Sequence, residues 1–203
     1  MLSTLANKGR GSPDSIIDSA FGNPRFRTQE SYARERLEWM KALSDRKPYI
    51  GYALQAIDAK GRVAIPADLR GQLEANGADK RVFVDFHRDD ACLIGFDTGW
   101  LATLREKLAR DEVYKRSLDA DYDLDLELRA SVVSAEAVAF DASGRFIMPP
   151  FLRETAGFGD WAFFSGAIDN FEIWNPADLL SNPRAPDRAK RVLAWAMKQK
   201  GLA

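Results

Sequence analysis

The chain has 203 residues, 46% of them hydrophobic and 29% charged, which suits a globular protein with a buried core. Its single cysteine, Cys92, excludes an internal disulfide, and no cysteine and histidine cluster has the spacing of a zinc site. With no apolar run long enough to span a membrane and no secretory signal, a cytosolic protein is predicted. The formal net charge of -1 disfavours nucleic-acid binding unless cations are concentrated on one face.

The chain begins with an extension that we expect to end at Pro48. Up to residue 27 it contains turn-forming glycines and prolines without sustained periodicity, and this part is predicted to be mostly disordered. Over residues 28–43, apolar side chains that include Leu37 and Met40 recur at helical spacing. One amphipathic helix is predicted there.

An internal repeat follows the extension. Residues 56–70 align with residues 139–153 at a shift of 83 positions, and eight of the fifteen aligned positions are identical. An unrelated pair of segments would share about one. Weaker similarity continues downstream, where the pairs are 81–84 with 160–164 and 91–94 with 170–174. Each copy is predicted to contain a strand, a tight turn, a strand, a short helix and two further strands, which gives a strand-rich α+β fold.

The segments before and after the second repeat differ from it in their sequence patterns. Residues 101–110 are predicted to be helical, and residues 117–127 form an acidic segment. After residue 186, a final helix combines an apolar stripe with several basic side chains. We expect this helix to pack against the body of the protein, although contact with DNA or a membrane surface is the alternative.

No metal or catalytic site is predicted. Asp119, Asp121 and Asp123 are spaced as in a calcium loop, but leucine replaces the glycine at the sixth position and alanine replaces the last glutamate. The only histidine, His87, lies in a predicted turn with no nucleophile motif. We therefore expect a protein that is not an enzyme and that uses no cofactor.

Each repeat carries an Asp-x-x-Gly-Arg motif. The aspartate carboxylate can accept hydrogen bonds from backbone N–H groups ahead of it, and glycine tolerates positive φ, so the motif predicts a tight β-hairpin. The predicted turn-forming residues are Asp58, Gly61, Asp141 and Gly144. Pro66 and Pro149 follow at the same distance, and each is predicted to end a strand and begin a helix.

The two motif arginines, Arg62 and Arg145, are predicted to point away from the core because the outgoing strand places its apolar side chains on the other face. Paired guanidiniums beside tight turns could bind phosphates or read a guanine edge in the major groove. Alternatively, Arg62 pairs with Asp58 across its own turn, which is common hairpin chemistry. For a single turn both interpretations stay open, and the repetition of the whole motif favours binding.

At these motifs the chain resembles the MraZ family, whose members carry two SpoVT-AbrB-type units marked by Asp-x-x-Gly-Arg, a strand, Pro and Leu-Arg. The resemblance spans roughly residues 49–180 and includes residues 54–66, residues 149–158 and the segment 171–174. It implies a duplicated swapped-hairpin β-barrel with short flanking helices. The implied segments are the extension over 1–48, a first repeat over 49–100, a helical and acidic linker over 101–131, a second repeat over 132–180 and a basic C-terminal helix over 181–203.

The resemblance also implies a function. Family members are cytoplasmic, nucleoid-associated transcription factors of the division and cell-wall gene cluster, and they often repress their own operon. They resemble rings of identical subunits, which would grip tandem promoter repeats through many weak contacts. The implied partners are DNA and further copies of the chain, not a membrane. The implied DNA-binding residues are Lys60, Arg62, Arg145, Arg70 and Arg153. An AbrB-like antitoxin or scaffolding protein that binds a protein partner is the alternative.

This chain departs from the family pattern in several places. About 48 residues precede the first strand, and the tail after Leu180 is unusually long. The segment between the repeats is acidic, where the family often has basic residues. Ser143 stands where the first copy has Lys60, so we expect the two hairpins to contribute unequally to binding.

Overall fold

The computed structural model describes Arg34, residues 45–119 and residues 121–202. Apart from Arg34, the helix predicted over residues 28–43 lies outside this part of the chain. The fold given below is that of the unit that begins at Asp45. No helix among the described residues is both long enough and apolar enough to cross a membrane.

The described residues form eight strands and six helices. The strands are β1 (Tyr52–Ala56), β2 (Arg62–Ala64), β3 (Arg81–Phe86), β4 (Leu93–Phe96), β5 (Glu136–Ala139), β6 (Arg145–Ile147), β7 (Trp161–Gly166) and β8 (Phe171–Trp174). The helices are α1 (Ala67–Ala75), α2 (Thr98–Leu118), α3 (Leu124–Ala130), α4 (Pro150–Thr155), α5 (Pro176–Ser181) and α6 (Asp187–Gln199). Both halves thus show the predicted order of strand, strand, short helix, strand and strand.

Six strands form one antiparallel sheet in the order β1-β7-β8-β4-β3-β5. Each strand of the first half has its counterpart four strands later in the chain. Replacing every strand by its counterpart gives the same order read from the opposite edge of the sheet. The first strand of each half pairs with the other half, with Leu54 opposite Phe163 and Val82 opposite Val138. The two halves are therefore interleaved about a pseudo-two-fold axis between β8 and β4.

A separate two-stranded ribbon is formed by β2 and β6, the strands that leave the two turns. Its strands have three residues each and end two residues before Pro66 and Pro149. Because proline has no N–H to donate to a ladder, the ribbon cannot extend further.

The fold is thus α+β and strand-rich, as expected, but the expected barrel is not closed. Among the described strands, β1 and β5 are the free edges of an open sheet, and β2 and β6 pair only with each other. The short ribbon covers one face of the sheet instead of joining its edges.

The main core lies between the large sheet and the ribbon. Val63 and Phe146 point inward from the ribbon, and Leu69 and Leu152 reach the same core from α1 and α4. The opposite face of the sheet is covered by the helices that follow the last strand of each half. There α2 contributes Trp100, and the C-terminal helices bring in side chains such as Leu193.

Two helices differ from the sequence prediction. Helix α2 covers residues 98–118 rather than 101–110. It begins earlier because Asp97 caps its N-terminus by accepting hydrogen bonds from the N–H groups of Gly99 and Trp100. Part of the acidic segment is helical as well: Asp123 caps α3 by accepting from the N–H groups of its second and third following residues.

Candidate nucleic-acid interface

The first turn is built around the carboxylate of Asp58. Its Oδ1 atom accepts hydrogen bonds from the backbone N–H groups of Lys60 and Arg62, each at 2.9 Å. The Gly61 N–H donates to the Asp58 carbonyl oxygen at 2.8 Å, and Gly61 has a φ of 77°. A residue with a side chain adopts this backbone conformation only with strain, so the motif glycine is required by the turn.

The second turn repeats this arrangement. Asp141 Oδ1 accepts from the N–H groups of Ser143 at 2.8 Å and Arg145 at 2.9 Å. The Gly144 N–H donates to the Asp141 carbonyl oxygen at 2.8 Å, and Gly144 has a φ of 78°. All four predicted turn-forming residues therefore occupy equivalent places in two equivalent turns.

Each motif arginine is ion-paired with the aspartate of its own turn. Arg62 Nε lies 2.6 Å from Asp58 Oδ2, and Arg145 Nε lies 2.9 Å from Asp141 Oδ2. The arginine side chains are nevertheless 50% and 60% exposed. Exposed pairs of this kind add little stability, so their main consequence is to fix the orientation of the guanidinium.

The pairing occupies only one edge of each guanidinium. The Nη1 and Nη2 groups of Arg62 and Arg145 make no hydrogen bond to any residue that the structure describes. A guanidinium has five N–H donors, and the two Nη groups can together bind two acceptors at once. Each turn thus presents a charged, oriented donor group to solvent.

The turn carboxylates are held in their ionised form. The backbone N–H of Arg62, followed by its side chain, lowers the pKa of Asp58. The backbone N–H of Arg145 is likewise the largest cause that lowers the pKa of Asp141. Hydrogen bonds to a carboxylate favour its charged form, so both aspartates are anionic at neutral pH and retain their arginines.

Each of the remaining two predicted arginines lies against the turn of the other half. Arg153, from the second half, lies against the turn of the first, with Nη1 3.1 Å from where a Cβ on Gly61 would stand. Arg70, from the first half, lies against the second turn, with Nη1 2.8 Å from the Cβ position of Gly144. The sequence contains no local signal for this exchange, because it results from the interleaving of the two halves.

The ribbon joins the two turns into one surface. In its register Arg62 lies opposite Ile147, and Ala64 lies opposite Arg145. Alternation places these four side chains on the outer face of the ribbon, and diagonal neighbours of this kind are about 7–8 Å apart. Arg62 and Arg145 therefore share one exposed face.

A cleft of about 460 Å³ adjoins the first turn. Lys60 and Arg153 supply positive charge to its lining, Glu154 supplies negative charge, and Ile147 and Met148 supply apolar surface. The predicted site residues thus form two groups: Lys60, Arg62 and Arg153 lie at the first turn, whereas Arg145 and Arg70 lie at the second. Ser143 takes the place of Lys60 there, so the first group carries one more cation.

The acidic residues between the repeats have structural roles. The Oδ1 atom of Asp119 accepts from the Asp121 N–H at 3.0 Å, and Asp123 caps α3. Within residues 45–119 and 121–202, no group of three or more His, Cys, Asp or Glu side chains is arranged to hold a metal ion.

Comparison with known proteins places these features in a family. No family model matches the sequence. A protein of Rhodospirillum rubrum is 31% identical over 154 residues, which are 74% of this chain and 94% of the relative. Proteins of Syntrophobacter fumaroxidans and Roseiflexus castenholzii are 33% and 36% identical over 130 residues each, covering 64% and 63% of this chain and 81% of each relative.

All three relatives are named transcriptional regulator MraZ, and their regions of similarity cover most of each protein. The family is one of regulators and not of enzymes. The chain belongs to the MraZ family of transcriptional regulators.

Proposed function

We propose that the chain binds promoter DNA in a sequence-specific manner through its two Asp-x-x-Gly-Arg turns. The observation that carries this proposal is that Arg62 and Arg145 are each held by an aspartate at Nε while their Nη groups face solvent. An arginine presented in this way can donate two hydrogen bonds to the O6 and N7 atoms of guanine.

In this proposal the other cations have a positioning role. Arg153 and Lys60 beside the first turn, and Arg70 beside the second, bind backbone phosphates and set the depth at which the ribbon enters the groove. A two-stranded ribbon fits the major groove of B-DNA. The unequal cation content of the two turns makes the first turn the stronger contact.

The two halves are SpoVT-AbrB-type units that have exchanged their first strands. The symmetric strand order supports this assignment, since β1 pairs with β7 and β5 pairs with β3. The interleaving also explains why Arg70 and Arg153 act on the turn of the other half.

The proposed active species is a ring of identical subunits bound to tandem promoter repeats of the division and cell-wall gene cluster, acting as a repressor on the nucleoid. With a net charge of -1, one subunit has no overall positive field to attract DNA, and many linked contacts would compensate for this. Contacts linked in one assembly gain affinity through effective concentration.

Fluorescence anisotropy with the DNA upstream of the chain's own gene tests this proposal. The variant Arg62→Gln, Arg145→Gln should lose promoter affinity by at least about 30-fold, since each of the two bidentate pairs contributes about 1–3 kcal/mol of discrimination. Arg110→Gln, Arg116→Gln is the matched control, because it removes the same charge from α2. Light scattering with and without promoter DNA measures the assembly.

Equal promoter affinity of the turn variant and the wild type would contradict the proposal. Co-purification of a small protein under salt that strips DNA, together with that result, would favour the antitoxin or scaffolding alternative.

A further inference from the structure

Helix α6 has two different faces. Its apolar face packs on the body of the protein: Leu193 is fully buried and Ala196 nearly so, in a cluster that includes Leu54, Phe163 and Trp174 of the large sheet. The inner face of this C-terminal helix therefore has a structural role, as expected from its sequence, and its outer face is free of these contacts.

The outer face carries a stripe of four side chains at spacings of three, four and three residues. They are Arg188, Arg191, Trp195 and Lys198. All four are exposed, with Trp195 at 56%. This spacing places them on one side of the helix, and a rise of 1.5 Å per residue makes the stripe about 15 Å long. We call these four residues the α6 stripe.

The charge of the α6 stripe is not neutralised within the described part of the chain. None of its three cations forms an ion pair with a described residue, and α6 contains one acidic residue, Asp187. Helix α2 is different, because Arg110 pairs with Glu106 and Arg116 pairs with Glu112. The protein as a whole is slightly acidic, so the α6 stripe is a local concentration of positive charge.

We propose that the α6 stripe is a second DNA-binding surface, which contacts the phosphate backbone of duplex DNA without reading its sequence. Affinity for phosphates comes from cations brought to the contact and from the counterions that they release. One strand of B-DNA has a charge every ~3.4 Å along the axis, so a stripe of this length is long enough to lie against more than one phosphate. Trp195 supplies an amphipathic ring that can pack against the sugar-phosphate surface.

An anionic membrane is a poorer partner for the same surface. A helix that binds in the plane of a membrane inserts its apolar face among the lipids. In α6 that face is covered by the sheet, and Trp195 is the only large apolar side chain on the exposed side. Duplex DNA requires no such face, because its phosphates are bound by exposed cations.

The test measures how the affinity of the full chain for DNA depends on salt concentration. The DNA is a duplex of about 30 base pairs that lacks the promoter sequence. In the variant Arg188→Gln, Arg191→Gln, Lys198→Gln, the slope of log K against log salt should be shallower by about 2.7 per engaged subunit. Between 50 and 200 mM salt, the wild type should then lose about 40-fold more affinity than the variant. Arg105→Gln, Arg110→Gln, Arg116→Gln on α2 is the control with the same charge change and should keep the wild-type slope.

Two further variants are needed. One separates the effect of charge from that of side-chain structure, and the other separates the contribution of the α6 stripe from that of the two turns. Arg188→Lys, Arg191→Lys keeps the charge and should keep the slope. Arg62→Gln, Arg145→Gln should lose promoter preference but retain the contribution of the α6 stripe on the unrelated duplex. The proposal is overturned if the stripe variant has the wild-type slope, or if the α2 control changes as much. It is also overturned if the wild type binds vesicles rich in phosphatidylglycerol more tightly than it binds the duplex, and the stripe variant no longer binds these vesicles.

Discussion

Arg153 lies against Gly61, so a side chain from the second half of the chain covers the turn of the first. Its Nη1 atom is 3.1 Å from the position of a Cβ on Gly61, and Arg70 makes the same approach to Gly144. Each turn is therefore completed by the other half. A change in one turn should affect the placement of an arginine that lies more than 70 positions away in the sequence.

Gly61→Ala and Gly144→Ala should both destabilise the protein and weaken promoter binding. Each glycine has a positive φ, which costs an alanine about 1 kcal/mol or more. The cost should be larger at Gly144, where the new Cβ would also meet the carbonyl oxygen of Ile65 at 3.2 Å. Chemical denaturation and anisotropy with promoter DNA measure the two effects.

Gly71→Ala is the control for these two substitutions. Gly71 lies inside α1 with no heavy atom within 4 Å of its Cβ position. Alanine has the higher helix propensity, so this variant should gain about 0.5–1 kcal/mol and bind DNA as the wild type does. Destabilisation by Gly71→Ala comparable to that of Gly61→Ala would show that the turn geometry is not the cause.

The turn carboxylates should titrate below the ordinary range of aspartate. Backbone N–H groups lower the pKa of both Asp58 and Asp141, so the folded state binds protons less tightly than the unfolded state does. Their stabilising effect is present above an unfolded pKa of about 3.9 and is lost as the pH falls through the lower folded pKa. Carboxyl carbon NMR titration measures this, and midpoints above the unfolded value would contradict the turn geometry.

Asp85 should behave in the opposite way. Burial raises its pKa, although Ser134 and the Phe86 N–H donate hydrogen bonds to its carboxylate. The folded state therefore binds a proton more tightly, and the contribution of this group to stability increases as the pH falls through its folded pKa. Asp85→Asn should raise the free energy of unfolding at neutral pH by on the order of 1 kcal/mol.

Thermal unfolding of Asp85→Asn at two pH values is the measurement. The gain over the wild type should shrink in acid, where the wild-type carboxyl is itself neutral. A variant that is less stable than the wild type at neutral pH would show that the ionised carboxylate is needed for folding.

Substitution of Asp97 should reduce the stability of the fold more than substitution of any of the acidic residues discussed above. Its side chain is fully buried and accepts hydrogen bonds from Arg46 at 2.6 Å, from the Tyr49 hydroxyl at 2.7 Å and from the Gly99 N–H at 2.6 Å. Asp97→Ala removes a helix cap and leaves a nearly buried cation without its partner, which should cost about 3–5 kcal/mol. Denaturant unfolding measures this loss.

Asp97→Asn separates the two contributions. Asparagine keeps the cap acceptor but not the charge, so it should lose less stability than alanine does. Equal losses in the two variants would mean that the cap adds nothing measurable.

The local features of the site were predictable from the sequence because their chemistry is local. Asp58 and Gly61 specify a turn through a hydrogen-bonding side chain and a positive φ, and Pro66 ends a strand before a helix. The ion pair between Arg62 and Asp58 was an open alternative, and the structure contains it together with an exposed guanidinium.

The long-range features were not predictable from periodicity. The pairing of β1 with β7 and the contact of Arg153 with Gly61 depend on residues that are distant in the sequence, and side-chain patterns do not encode such partners. Helix α3 was missed for a different reason: the acidic composition indicated a linker, although Asp123 has the side chain of an N-cap.

Site-directed cross-linking tests whether the two turns contact promoter DNA. Ala59 and Ala142 occupy equivalent exposed positions in the two turns, and Ala109 is an exposed alanine on α2. A cysteine at each site can carry a photoactivated cross-linker, while the buried Cys92, whose thiol pKa is raised by burial, stays unreactive. With promoter DNA, Ala59→Cys and Ala142→Cys should form protein–DNA cross-links and Ala109→Cys should not. Cross-links from Ala109→Cys alone, or equal yields from all three sites, would contradict DNA binding through the turns.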